Sequence, residues 1–173
     1  YKLPWYFLGN ALGACGFAVF FGGTILDFCC AAVCGIVVGL ANRFMDKLKV
    51  NSFFGTIAAS FLMALLAYAM PAIGLSANAD MIIIGTLMIL VPGLLFTNAM
   101  RDIIFGDTNS GINRIVQVLL IAAAIALGTG VAWNLASSLW VLAEPPAPLN
   151  IGFLLQCFSA IIGCAGFSII FNI

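Results

Sequence analysis

Six apolar runs, the first of them short and the others about long enough to cross a bilayer, divide this chain, and very little charge interrupts them. Hydrophobic residues make up 64% of the 173 and charged residues 7%, with a mean hydropathy of +1.22. Such a chain has too little polar surface to coat a soluble globule and must be an integral membrane protein. Each run needs about 20 residues to span a hydrocarbon core about 30 Å thick, and within lipid the backbone must satisfy its own hydrogen bonds. The expected fold is therefore all-α, a polytopic bundle of about six transmembrane helices. Six basic and six acidic residues cancel, so net charge points to no nucleic acid or other charged macromolecule.

The expected spans are residues 6–21, 24–42, 52–74, 81–99, 115–143 and 151–173. The first is rich in small residues, Gly9, Gly13 and Gly16, which allow another helix to come close. Gly22-Gly23 ends it. Thr24 opens the second span with Asp27 three residues on, the spacing of a capping box with aspartate in place of glutamate. Gly35 and Gly39 give that span a G-x-x-x-G face. RFMDKLKVN, from Arg43, reads as the first aqueous loop, and SANAD as a short polar turn. The fifth run is longer than one span needs, so it must tilt, protrude or bend near Gly128-Thr129-Gly130. Trp133 and Trp140 lie toward its far end, where an aromatic belt belongs. EPPAPLN, residues 144–150, is a proline-stiffened loop that cannot be helical throughout. The domain division is a five-span transmembrane unit, 1–143, this loop, and a single helix, 151–173.

The fourth run carries the most chemistry. In LVPGLLFTNAMRDIIFGDTNSGINR, residues 90–114, Pro92-Gly93 breaks an apolar helix about 16 Å past Met81 at about 1.5 Å per residue, close to mid-membrane. Proline removes a helical hydrogen bond, so nearby backbone groups need partners in other helices, water or a ligand, as in the broken helices of many transporters. If the helix resumes after Gly93, Asn98 shares a face with Arg101 and Asp102, at three and four residues. Arg101 and Asp102 do not face each other. Their nearest candidate partners in sequence are Asp107 and Arg114.

This same stretch resembles the signature of the threonine/serine exporter family of bacterial membrane proteins: PG, TNA-x-RD, GD and SG-x-x-R, in order and nearly without gaps. The resemblance implies export of small polar metabolites, either threonine and serine or, in a split two-protein version, succinate. From the break and the polar groups beside it, the substrate or ion pathway is expected to include Pro92, Gly93, Thr97, Asn98, Arg101 and Asp102, with the intramembrane carboxylate Asp27, whose plain alternative is a helix cap. Gly106, Asp107, Ser110, Gly111 and Arg114 read as a gating or structural loop. Asp27 and Asp102 are the carboxylates expected to carry protons. The driving force is a gradient, since no nucleotide-binding motif is present.

Lys2, Arg43, Lys47, Lys49, Arg101 and Arg114 all fall on one side if every span crosses. The positive-inside rule makes that side cytoplasmic, with the N-terminus, and the resemblance places the protein in the bacterial inner membrane. GACGFAVFF, residues 13–21, is similar to GCAGFSIIF, residues 163–171, at an offset of 150. Five spans separate the starts of the two copies, so the second copy is inverted, a recurring transporter design. The resemblance implies the same plan: a five-span half, then a second half opening with a helix like Gly166-Phe167 through Phe171-Asn172. The chain, from Tyr1 to Ile173, thus reads as a fragment without the soluble N-terminal region of the family. Its opening KLPWYFLGNALG reads as a span and no signal peptide. Expected partners are the lipid bilayer, the metabolite, and a second repeat or partner subunit, including further copies of itself.

Other chemistry is excluded or weak. Cys15, Cys29, Cys30, Cys34, Cys157 and Cys164 all lie in apolar runs without C-x-x-C spacing, and histidine is absent, so the cysteines read as packing residues and no metal is expected. A rhomboid-like protease needs G-x-S-G and histidine, but Thr108 stands where the glycine belongs. A presenilin-like protease needs G-x-G-D, and Ile104 stands in the first glycine position. No phosphate-binding glycine loop or H-E-x-x-H appears, so neither enzyme nor cofactor is expected. A non-transporting structural subunit is the alternative to an exporter.

Overall fold

Apolar helices in lipid gain nothing from burying one another's side chains, so close backbone approach decides which helices meet. The computed structural model describes residues 3–75, 78–140 and 151–171, and all its regular structure there is helical. The helices are α1 (Leu3–Phe20), α2 (Ile25–Lys47), α3 (Ser52–Ala72), α4 (Ala79–Leu90), α5 (Gly93–Ile104), α6 (Thr108–Leu139) and α7 (Phe153–Phe171). Four of them, α2, α3, α6 and α7, are long and apolar enough to cross a membrane, and the bent α4–α5 pair makes five if it counts as one span. Lys2, Ser76, the loop 144–150 and Asn172 lie outside the described residues.

Local chemistry sets the helix ends. Thr24 Oγ1 accepts from Asp27 N–H at 3.2 Å while Asp27 Oδ2 accepts from Thr24 N–H at 2.8 Å, the reciprocal capping box expected of this pair. Asn51 caps α3 by accepting from Phe53 N–H at 3.1 Å. At the C-termini of α1, α2, α3 and α5 the chain turns through one left-handed residue, Gly22, Lys49, Gly74 and Gly106. The next N–H reaches back five residues, as from Val50 to the Met45 carbonyl at 3.2 Å and from Asp107 to the Asp102 carbonyl at 2.9 Å. This is the Schellman ending.

Two boundaries depart from the sequence reading. Helix α2 runs through Asn42 to Lys47, so Arg43, Asp46 and Lys47, assigned to an aqueous loop, stand on its last turns. A helix continues where its N–H groups still find carbonyls, and polar side chains do not prevent that once the helix leaves the bilayer. Helix α6 is one uninterrupted element of 32 residues that starts at Thr108 and passes through Gly128–Gly130 without a break. At about 1.5 Å per residue it is about 48 Å long, so its excess length protrudes or tilts.

Small residues bring the helices together. Ala124, Gly128, Ala132 and Ala136, four apart, are the buried line of α6 and lie against α3, where a Cβ on Gly128 would stand 2.6 Å from the Ile57 carbonyl oxygen. The Gly35–Gly39 face of α2 receives Asn10 of α1, with Gly35 against the Asn10 carbonyl oxygen and Gly39 against its amide. Gly85 of α4 sits on Ala18 of α1, where an added Cβ would be 2.6 Å from the Ala18 Cα. Around these crossings the core fills with Val38, Met63, Ile82, Ala64 and Ala67. All six thiols are free: Cys15, Cys30 and Cys34 pack inside, and Cys29, Cys157 and Cys164 face outward. Trp133 stacks edge-on against Tyr68, ring centres 5.3 Å apart.

Helix α1 is the hub, with α2, α4 and α7 packed around it. It meets α7 head to tail through glycines on both sides. A Cβ on Gly16 would lie 2.7 Å from the Gly163 Cα and 2.9 Å from the Ser159 carbonyl oxygen, and one on Gly166 would lie 2.8 Å from both the Gly13 Cα and the Gly9 carbonyl oxygen. The two helices cross antiparallel.

The two glycines of α6 separate packing from propensity. Gly130 faces open space, with nothing within 4 Å of an added Cβ, so Gly130→Ala should stabilise by up to about 1 kcal/mol through helix propensity. Gly128→Ala gains the same propensity but drives a methyl into α3, an overpacking cost of about 1–3 kcal/mol. Thermal unfolding in detergent should place Gly130→Ala at or above the parent and Gly128→Ala below it. The reverse order would remove the α3–α6 crossing.

Candidate functional site

The break falls where proline dictates. Val91 is the last residue to donate along α4, to the Leu87 carbonyl at 3.1 Å. Pro92 has no N–H for the Met88 carbonyl, and the Gly93 N–H turns to the Val91 carbonyl at 2.9 Å instead of to Ile89. The helix resumes with Phe96 N–H on the Pro92 carbonyl at 3.0 Å, and α5 leaves at 49° to α4. Met88 and Ile89, whose carbonyls lose these helical donors, line two different hollows. Met88, Val91, Gly93 and Leu94 border an apolar cleft of about 440 Å³ whose far wall is Cys164, Phe167, Ser168 and Phe171 of α7. Ile89 and Leu90 border a polar chamber on the other side.

The residues expected in the pathway divide between these places and a third. Thr97 is turned back on its own helix, its hydroxyl donating to the Gly93 carbonyl at 3.0 Å. Asn98, Arg101, Asp102, Phe105 and Arg114 line one open hollow of about 440 Å³ between α5 and α6. Asn98 thus shares a face with Arg101 and Asp102, as its spacing required. Arg114 Nη1 stands 3.2 Å from Asp102 Oδ2, an ion pair whose angle makes no hydrogen bond. Arg101 lies over the Phe105 ring at 5.8 Å from its centre, a cation–π contact. Gly106 takes a positive φ of 93° to end α5. Asp107 caps α6, accepting from Ser110 N–H at 3.3 Å. Gly111 lets α6 close on α5, where a Cβ would come within 2.9 Å of the Ala99 carbonyl oxygen. Gly106, Asp107, Ser110 and Gly111 therefore build the turn, while Arg114 reaches back into the hollow.

Asp27 stands apart from this group. It is fully buried at the start of α2, and the Thr24 hydroxyl also donates to its Oδ2 at 2.8 Å. Its carboxylate belongs to the helix cap.

The polar chamber is the part that sequence reading missed. It holds about 330 Å³ and is lined by Tyr6 of α1, Asn42 and Asp46 of α2, Ser52 and Thr56 of α3, Leu90 at the break and Ile121 of α6, among others. Deeper along α1, Asn10 is fully buried and packs with Tyr6 on Gly39. Its Nδ2 donates to the Tyr6 carbonyl at 2.8 Å, but its Oδ1 has no protein partner, a state that costs about 1–3 kcal/mol unless water or a solute supplies a donor. A signal did exist: Tyr6 and Asn10, Asn42 and Asp46, and Ser52 and Thr56 are three polar pairs four residues apart. Each pair puts two polar groups on one helix face. Reading Arg43 to Asn51 as a loop hid the second pair, and with it Asp46, which joins Asp27 and Asp102 as a carboxylate at the spans.

The comparisons agree with the resemblance in the 90–114 stretch. Residues 1–136 match the family described as "Putative threonine/serine exporter". No curated protein and no solved structure matches the chain significantly. The match covers α1 to α5 and most of α6, including the break, the polar chamber and the hollow at Arg101. This chain belongs to the threonine/serine exporter family of membrane proteins.

Proposed function

We propose that this chain forms one half of a gradient-driven export pathway for small zwitterionic amino acids of the threonine and serine type. The observation that carries the substrate class is the lining of the polar chamber. An amino acid presents an ammonium, a carboxylate and a hydroxyl. Asp46 and the Asn42 carbonyl suit the first, and the Tyr6, Ser52 and Thr56 hydroxyls suit the other two. Among the described residues no lysine or arginine lines this chamber, which disfavours a dianion such as succinate. It opens beside Ile89 and Leu90, so a solute there lies against the break, where freed backbone carbonyls can replace lost hydration.

The chain sits in this reading in a bacterial inner membrane with its N-terminus in the cytoplasm, where the Asp46–Lys47 end of α2 and the α5–α6 turn share one side. Protons or a coupling ion would use carboxylates, with Asp46 and Asp102 the two that face hollows. One observation favours a dicarboxylate instead: Arg101 and Arg114 both line the α5–α6 hollow beside Asn98. Asp102 compensates one of these cations, so the hollow offers a single net positive charge.

Topology is tested by labelling. Single cysteines at Lys47 and Asn109 should react with an impermeant maleimide from the cytoplasm, and one at Ser76 from outside. Labelling of positions 47 and 76 from the same side would overturn the orientation.

Substrate class is tested by efflux from cells carrying the full-length protein. Asp46 is exposed, so Asp46→Asn should insert normally yet lower threonine efflux about tenfold, the loss of about 1.4 kcal/mol of charge-assisted binding. Unchanged threonine efflux in Asp46→Asn, with succinate efflux that Arg101→Gln abolishes, would reject the amino-acid reading in favour of the anion.

A further inference from the structure

Helix α5 carries one stripe that changes character along its length. Leu94, Asn98, Arg101 and Phe105 recur at steps of four, three and four residues, so they stack on a single face that runs from the break to the turn into α6. Ala99 is the buried residue of this helix, and all four members of the stripe are exposed. Phe105, at the turn, keeps 80% of its surface open. An apolar ring so exposed at a helix end sits better at the boundary of headgroups and acyl chains than in water.

Two hollows open along the stripe, and Leu94 stands at their junction. With Val91 and Gly93 it walls the apolar cleft of about 440 Å³, which faces Cys164 and Phe167 of α7. One turn further on, Asn98, Arg101 and Phe105 wall the polar hollow of about 440 Å³ that they share with Asp102 and Arg114. Arg114 stands immediately before the apolar run that opens at Ile115, so this hollow lies where hydrocarbon gives way to headgroups. From Leu94 to Arg101 is about 10 Å at about 1.5 Å per residue. The charge in the hollow is unbalanced. Asp102 pairs with Arg114 at 3.2 Å, and among the described residues Arg101 meets no carboxylate, only the Phe105 ring 5.8 Å away.

We propose that the two hollows together hold one anionic phospholipid, its phosphodiester in the α5–α6 hollow and an acyl chain in the apolar cleft. A phosphodiester carries a single negative charge, which Arg101 balances, while the Asn98 amide and the free donors of Arg114 reach its remaining oxygens. Basic pockets between membrane helices are suited to such headgroups. The chain passes over Leu94 toward the break and lies against Cys164 and Phe167, in a cleft whose one hydroxyl side chain is Ser168. A soluble anion such as succinate would fill the hollow and leave the cleft empty. A zwitterionic lipid would bring its own cation beside Arg101 and leave the surplus charge unanswered. The inference stands apart from the export reading, because its test reads bound lipid and no flux.

The test is fluorescence quenching in vesicles of the full-length protein, with Trp5, Trp133 and Trp140 replaced by phenylalanine and Leu94→Trp placing one indole where the hollows meet. Phosphatidylglycerol brominated on its acyl chains, as a minor component of phosphatidylcholine vesicles, should associate about tenfold more tightly than brominated phosphatidylcholine, the worth of one charge-assisted contact. Arg101→Gln should bring the two lipids level, and Arg101→Lys should keep most of the preference. Cys164→Phe, at an exposed position, should also remove it by filling the cleft. Because an indole at position 94 can itself disturb the cleft, native mass spectrometry of the protein with its own tryptophans and Leu94 is the second measurement. It should retain phosphatidylglycerol in preference to phosphatidylcholine, and Arg101→Gln should lose that preference. Equal association of the two lipids, a preference that survives Arg101→Gln, or displacement of the lipid by succinate or inorganic phosphate, the mark of a soluble-anion site, would overturn the proposal.

Discussion

The structure depends on the approach of one helix backbone to another where glycine or alanine removes the obstacle. In a bilayer a leucine is as well solvated by lipid as by protein, so association rests on dispersion and close fit. That is why Gly35, Gly85, Gly111, Gly128 and the Gly16–Gly163 pair all mark crossings, whereas Gly93 and Gly130, with open space where a Cβ would project, do not. The large apolar side chains go mostly outward to the lipid, as Leu119, Leu127 and Leu154 do. The usual inside-out logic of a soluble core is reversed, and the core is made of small residues with Met63, Val38 and Ile82 filling what is left.

Polar groups follow from the same constraint. A hydroxyl in an apolar helix settles onto its own backbone when nothing else is near, as buried Ser60 and Thr86 and half-buried Thr129 do by donating to a carbonyl three or four residues back. Polar side chains also collect around a void at Tyr6, Asn42, Asp46, Ser52 and Thr56; there Thr56 still donates to the Ser52 carbonyl at 2.9 Å, and Asn10 Oδ1 close by lacks a protein partner, a cost that water or a solute would offset. The broken span lies between this chamber and the apolar cleft. A proline there removes a helical donor, so the backbone carbonyls beside it need partners that lipid cannot supply.

Much of this was legible in the sequence. The apolar runs fixed the all-helical class, Pro92-Gly93 fixed the break, and the Thr24–Asp27 spacing fixed a cap that the structure completes. Those features are local: they depend on hydrogen bonds within about four residues, and a chain carries them wherever it folds. The face shared by Asn98, Arg101 and Asp102 followed from helical periodicity for the same reason. The end of α2 was misread because charge was taken as the end of a helix, when it marks only the end of the apolar part.

What the sequence could not state is which polar residues meet. Asp27 and Asp102 looked alike as carboxylates near spans, yet one closes a helix cap and the other pairs with Arg114 in an open hollow. Asp46, read as a loop residue, lines the chamber beside Tyr6 and Thr56. These outcomes depend on the rotation and depth of each helix, and both are set by crossings between residues far apart in the chain, such as Gly39 with Asn10 and Gly85 with Ala18. By itself the sequence determined the helices, their ends and the membrane they require. Only the tertiary structure decided which faces turn inward, because helix rotation is fixed by backbone contact between spans and by nothing within a single one.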